Sequence, residues 1–241
     1  MNKYRALLVT DTRQIMTDPM LMASLFGPLL LLAIARFFFP LLSDWFERQY
    51  QFVLTEYTDF FAAFLLLFIP LLPGSMVGLL MLDERDENMI AYYAVTPLSR
   101  VGYFRYRLFL PCLLTLLLSS AFILYSGITH LQIESLYIVA LLVLEAPMIA
   151  LFLVSFASNK VEGLAMTKAS GLLFAGPIVA FFVPEPWTYA GAWIPTFWTT
   201  QSYLAGIAEN SWHAFGWFIG GGIFQTAIIG RLLRSYLKRS D

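Results

Sequence analysis

Few side chains in this 241-residue sequence could do chemistry, and their spacing excludes most of it. No Gly-x-x-x-x-Gly-Lys-Ser/Thr run is present, so the chain has no loop of the kind that cradles nucleotide phosphates for hydrolysis. There is no His-Glu-x-x-His pair, and the single cysteine, Cys112, allows neither a thiolate metal cluster nor an internal disulfide. His130 and His213 each stand at the end of an apolar run with no evident partner. Ser75, in PGSMVG, lies within an apolar run, but a serine nucleophile there would need a histidine at similar depth on a facing helix. The small residues around Ser75 read more simply as a place where helices approach closely. The expectation is a chain that is not an enzyme and binds no metal or cofactor itself.

Two charged groups stand where charge is costly. Glu145 interrupts LLVLEAPMIALF near its middle. An ionised carboxylate at the centre of a bilayer costs about 2.5–3.5 kcal/mol on insertion scales, a cost relieved by water, a protein partner or protonation. The residue therefore either lines a substrate path or coupling site, or bonds a neighbouring helix for packing. Pro147, two residues on, cannot donate to the carbonyl of Val143, so a bend is expected nearby. Arg36 lies six residues from the end of its apolar run, close enough for its long side chain to reach the interface. The alternative is a pairing with Glu145 or with an acid of an outer loop.

The elements that must position these groups follow from composition. Hydrophobic residues make up 59% and charged residues 13%, roughly half the charged share of soluble domains, and mean hydropathy is +0.70. So few charges cannot cover a water-soluble globule of this size, and a net charge of −1 gives no footprint for nucleic acid. The fold class is an all-α integral membrane protein. A hydrocarbon core about 30 Å thick needs roughly 20 apolar residues in helix. Six stretches qualify: Leu21–Leu42, Phe60–Leu82, Leu108–Gly127, Ser135–Ala157, Leu164–Val183 and Trp212–Leu233. The fifth is the weakest, with Lys168 in its first turn and Gly171, Gly176 and Pro177 loosening it. Of the 15 Lys and Arg, 13 fall on one side of these spans, which predicts both termini in the cytoplasm. Trp45, Trp187, Trp193, Trp198, Trp212 and Trp217 are all expected at or near the outer interface. Residues 1–20 read as an interfacial helix rather than a cleavable signal, with Tyr4, Leu7, Leu8 and Ile15 on one side and Asp11 interrupting that stripe.

The second and third spans are joined by DERDENMIAYYAVTPLSRVGYFRYR, a coupling loop over residues 83–107. Asp83, Glu84, Asp86 and Glu87 crowd its start, where acids suit a helix N-terminus. Met89, Ile90 and Tyr93 then share one face of a short helix, with Tyr92 beside them, ending before Pro97. Such a face suits either a protein partner or a fold-back onto the bundle. In the next inner loop, Asn159 with Glu162 three residues on reads as a capping box that restarts a helix.

The loop resembles the first cytoplasmic loop of ABC-2 type transporter permeases. In that family an acidic stretch followed by Gly-Thr leads into a short helix and a Val-Thr-Pro-Leu-Ser turn. Glu84 and Asp86 or Glu87 match the acids, and residues 95–99 match the turn; Asn88 and Met89 stand where Gly and Thr are usual. The Asn159–Gly163 segment NKVEG and the Pro184–Thr199 stretch are similar to the corresponding parts of permeases known as fluoroquinolone exporters. The resemblance implies one ABC-2 type transmembrane domain over residues 1–241, working in the plasma membrane with a second permease copy and separate ABC ATPase subunits that bind the ATP. It implies that Glu84, Asp86, Glu87, Met89, Ile90, Tyr92 and Tyr93 meet the ATPase. Asn159, Lys160 and Glu162 would form a smaller second contact. Their charge within the spans, apart from the resemblance, makes Glu145 and Arg36 the candidates for the translocation path or its coupling. The implied activity is export of a hydrophobic or amphipathic substrate. A secondary transporter with repeated halves, or a scaffold without an ATPase, is the alternative; no internal repeat is visible.

Overall fold

The computed structural model describes the backbone of residues 3–94, 96 and 99–240, and their side chains except at 3–7, 20, 90, 91, 94, 100, 101 and 237–240. Val95, Pro97 and Leu98 of the predicted turn, and the side chains of Tyr4, Leu7 and Ile90, thus lie outside the described residues. Every regular element among the described residues is helical. This is what lipid requires, because a helix satisfies its own backbone polar groups.

In chain order the elements are α1 (Lys3–Thr17), α2 (Pro19–Ala33), α3 (Phe39–Tyr50), α4 (Thr58–Asp86), α5 (Met89–Ala94), α6 (Ser99–Tyr125), α7 (Ser135–Phe156), α8 (Lys160–Ala169), α9 (Ala175–Phe182), α10 (Pro195–Ile207) and α11 (Ser211–Ser240). Helices long and apolar enough to cross a membrane cover Leu21–Tyr50, Leu54–Asp86, Gly102–Tyr125, Ser135–Phe156 and Lys160–Phe182, five among the described residues. Each contains one of the first five predicted spans or nearly coincides with it. The first is longer than predicted: α2 and α3 are joined by a π-helical turn at Ile34–Phe38 and continue to Tyr50. The fifth, expected to be the weakest, is divided into α8, a 3₁₀ turn at Ser170–Phe174 that holds Gly171, and α9, whose first turn holds Gly176 and Pro177. The sixth predicted span lies within α11, a 30-residue helix of about 45 Å. His213, Gln225 and a scatter of glycines make it less apolar than the others. Pro147 does not break α7, which runs unbroken as α-helix from Ser135 to Phe156.

α4 and α7 form the buried centre, and the close approach inferred around Ser75 is the contact between them. Gly74 and Gly78, one turn apart on α4, face α7. A Cβ at Gly74 would stand 2.6 Å from the carbonyl of Ala146, and one at Gly78 2.9 Å from Leu153. Only glycine lets these backbones meet so closely, the small-x-x-x-small solution of membrane helices. α2 and α6 instead turn large apolar side chains outward, among them Phe26, Leu30, Phe109 and Leu117. α1, α5, the start of α8 and the end of α11 gather at the Arg/Lys-rich end of the bundle, called here the basic end.

The Pro184–Thr199 stretch departs from the outer hairpin expected of it. After α9 the chain turns back, passes a 3₁₀ turn at Trp187–Trp193, and starts α10 beside Leu173 and Gly176, halfway along the fifth traverse. The Thr196 hydroxyl donates to the Leu173 carbonyl, and a Cβ on Gly176 would collide with Thr196. α10 then runs outward to meet α11. Trp198 is half-buried: it packs on Gly220 and Gly221 and donates from Nε1 to the Ala192 carbonyl at 2.9 Å. Trp45, Trp187, Trp193 and Trp212 are exposed.

Candidate functional site

At the basic end, Arg107 is almost wholly buried, 1% exposed, between two carboxylates from distant parts of the chain. It donates from Nη1 and Nη2 to Asp11 at 2.7 and 2.9 Å, and from Nε to Glu84 at 2.9 Å, with a further bond from Nη2 to Glu84. The planar guanidinium fork suits two such bidentate contacts, which a lysine could not make. Tyr103 and Tyr106 complete the cluster, donating their hydroxyls to Glu84 at 2.6 Å and Asp11 at 2.7 Å. Both rings also lie near the guanidinium carbon, at 5.8 and 5.5 Å from their centroids, close enough for cation–π attraction. Asp11 is thus not a flaw in the stripe of α1 but what faces the bundle, with Ile15 one turn on, while Leu8 is exposed.

This cluster carries α5. Tyr93 stacks on Tyr103 with ring centroids 5.4 Å apart. Burial first, and then the Glu84 carboxylate, push the Tyr93 phenol above its ordinary value, so it remains neutral. Between α4 and α5 the chain turns at Asn88 with φ of 58°. That left-handed conformation favours Gly and, after it, Asn, which accounts for Asn88 where the resembling family has Gly.

A second set of contacts fixes the start of α8. The Asn159 side chain accepts from the Glu162 N–H at 2.9 Å, and Glu162 reaches back to the Ser158 N–H at 2.7 Å. The predicted reciprocal cap is present, with the return bond one residue earlier than the standard capping box. Lys160 points inward: its ammonium lies 3.0 Å from Asp83 and 3.4 Å from Asp18, and its N–H donates to Asp86 at 3.0 Å. Arg85 donates to the carbonyls of Val154 and Ala157, at 3.2 and 2.5 Å, and so closes the C-terminus of α7.

The ten residues assigned to partner contact therefore divide. Glu84 is buried, Tyr93 is half-buried on the bundle, and Lys160 is tied to two acids, whereas Asp86, Glu87 and Tyr92 face outward, Tyr92 being 61% exposed. Met89 is half-buried.

Deep in the bundle Glu145 is 1% exposed and meets Thr199 of α10 and Gln225 of α11. The Thr199 hydroxyl and the Gln225 amide, at 3.1 Å, both donate to its Oε1. Arg36 does not approach it. The Arg36 side chain reaches instead to Gly127, just past the end of α6, where φ of +75° calls for glycine. The alternative pairing of Arg36 with Glu145 is set aside, and its reach toward a helix end fits snorkelling. Sequence reasoning missed Asp11, Tyr103, Tyr106, Arg107, Thr199 and Gln225. Two signals were present: Arg107 directly precedes an apolar run, and Gln225 is the one strongly polar side chain in the middle of the last span.

Helices with apolar outer faces, glycine contacts at the centre and charges collected at one end are the architecture of a helical membrane protein. The family described as fluoroquinolones export permease protein Rv2686c-like matches residues 11–233. This chain belongs to that family. Two curated proteins of Mycobacterium tuberculosis, the fluoroquinolones export permease proteins MT2760 of strain CDC 1551 / Oshkosh and Rv2686c of strain ATCC 25618 / H37Rv, are each 29% identical over 230 residues, covering 94% of this chain and 90% of the relative. No solved structure matches.

Proposed function

We propose that this chain is the membrane-spanning subunit of an ABC-2 type exporter, driven by ATP that a separate ATPase subunit hydrolyses. In this reading α2–α3, α4, α6, α7, α8–α9 and α11 are six traverses of the plasma membrane, with both termini and the basic end in the cytoplasm. A second permease copy completes the transport unit. The substrate class is amphipathic and aromatic, of the kind named for the mycobacterial relatives. The chain binds no cofactor of its own and does no covalent chemistry.

The observation that carries the reading is the placement of α5. It stands on a buried cluster shared by α1, α4 and α6 and turns Tyr92 away from the bundle, with Glu87 exposed at the end of α4 just before it. A short helix held rigidly below and open above is suited to receive force from a partner. Aromatics of this exposure are frequent anchors of protein interfaces. The test is co-expression of this chain with the ATPase encoded nearest to it, followed by affinity purification through the permease. Retention of the ATPase, and ATP-dependent uptake of a fluorescent fluoroquinolone into inverted vesicles by the pair but not by either chain alone, is expected. ATP-independent uptake by the permease alone would overturn the reading in favour of a secondary transporter.

A further inference from the structure

The polar groups at the centre of the bundle do not balance. Glu145 Oε1 accepts from both Thr199 and Gln225, while Glu145 Oε2 and Gln225 Oε1, each shut off from the surface, have no donor. The Thr199 hydroxyl is committed to Oε1, so it cannot serve either of them. Burying a carboxylate without a counter-ion and with one oxygen unpaired is among the costliest arrangements a protein interior can hold.

The elements packed on α7 offer no cation at this depth. α4 has no titratable side chain between Asp59 and Asp83. α10 carries Tyr203, one turn outward of Thr199. α11 carries His213 near its outer end and, nearer the basic end, Arg231, Arg234 and Tyr236. α6 carries Cys112 and Tyr125, with Tyr103, Arg105, Tyr106 and Arg107 at the basic end, and α8 carries Lys160, Glu162 and Lys168. Glu145 has neither a salt bridge nor a hydrogen bond with any of these among the described residues; its partners are Thr199 and Gln225.

One proton resolves both deficits. Placed on Oε2, it turns Glu145 into a donor, and the Gln225 carbonyl is the acceptor left over on the amide that already donates to Oε1. In such a pair acid and amide satisfy each other in both directions. We propose that Glu145 is a proton-binding site, a neutral carboxylic acid paired with the Gln225 amide and the Thr199 hydroxyl, which joins α7, α10 and α11 for as long as the proton is held. The proposal rests on these three side chains and stands whether or not an ATPase drives the chain.

The test is infrared difference spectroscopy on the purified full-length chain in lipid nanodiscs at neutral pH, comparing wild type with Glu145→Gln and Gln225→Leu. The expected result is a carboxylic-acid C=O band in wild type that is absent in Glu145→Gln and moves to higher frequency in Gln225→Leu, where the acid has lost its partner. Glu145→Gln, which reproduces the neutral acid's donor and acceptor, is expected to accumulate in the membrane and melt as wild type does. Three outcomes would overturn the proposal. The first is a carboxylate band in place of the acid band, meaning an ionised Glu145 whose spare oxygen is hydrated. The second is a band unmoved by Gln225→Leu, and the third is failure of Glu145→Gln to assemble.

Discussion

Removing the guanidinium of Arg107 is the sharpest test of how the basic end is held. Arg107→Met keeps most of the side-chain stem and deletes four hydrogen bonds to two buried carboxylates. Its partners, Asp11 and Glu84, are 3% and 7% exposed, so neither can simply turn to water. Breaking a buried ion pair by removing one partner costs about 3–5 kcal/mol, most of it the penalty of the charge left behind. For a chain of this size each kcal/mol corresponds to a melting shift of roughly 2–4 °C, so a loss of about 6–20 °C is expected. Tryptophan fluorescence during a thermal ramp in detergent measures it. Two comparisons separate charge from packing. Arg107→Met combined with Asp11→Asn and Glu84→Gln, which removes the stranded charges as well, should recover at least half of the loss. Backbone hydrogen exchange in Arg107→Met should speed up in α1 and α5, the elements held through Asp11 and through Tyr93 on Tyr103. A single variant that melts within about 2 °C of wild type, or exchange that rises uniformly along the chain, would refute the reasoning.

Tyr92→Asp should reduce ATPase recovery in the pull-down at least tenfold while changing the melting temperature far less than the same substitution at Tyr93, because the ring is exposed and its ring contact is an edge-on one with Tyr93, 6.2 Å between centroids; equal recovery would return α5 to a purely internal role. The same substitution at Tyr93 should instead lower the melting temperature, since Tyr93 stacks on Tyr103 of the buried cluster. Gly78→Leu should prevent α4 and α7 from closing, costing about 1–3 kcal/mol or more, and should appear as lost monodisperse protein on size exclusion. Lys160→Ala removes two part-exposed ion pairs and should cost about 1 kcal/mol or less in the melt, with a smaller loss of ATPase recovery than Tyr92→Asp.

The spans were legible because hydropathy over some twenty residues is a local property, set by the solvent that a helix crosses. The glycine contact of α4 with α7 was legible for the same reason: PGSMVG announces small residues one turn apart without naming the helix they meet. Partner choice was not legible. Asp11 and Arg107 are 96 residues apart, and nothing local to either says that they meet. The resemblance places Glu84 among the partner contacts because it matches the family's acidic stretch; the fold brings Arg107 and Tyr103 to it first. The re-entrant course before α10 failed for a further reason. Its backbone turns back within the bundle, where irregular chain is tolerated only if protein surrounds it, and no hydropathy window distinguishes such a segment from an outer hairpin. The Asn159 cap, set by residues three apart, was legible because it is local.

The two polar clusters occupy different levels of one scaffold, and this bears on how motion could pass along it. α4 ends in the basic-end cluster through Glu84, and its middle is pressed against α7 at Gly74 and Gly78. α7 in turn carries Glu145, which bonds α10 and α11. A displacement of α5 reaches Tyr103 by ring stacking and Glu84 through the Tyr103 hydroxyl, and the glycine contact gives α4 no soft side chain on which to absorb it against α7. The junction of α7 with α10 and α11 differs in that three side chains rather than a close backbone contact make the polar joint. If transport opens the bundle there, Glu145→Gln, which keeps the joint made but carries no exchangeable proton, should leave assembly and melting intact and lower turnover. Measuring ATP-driven uptake per folded complex in that variant decides whether the joint takes part in transport or serves packing alone, since a packing role predicts unchanged turnover.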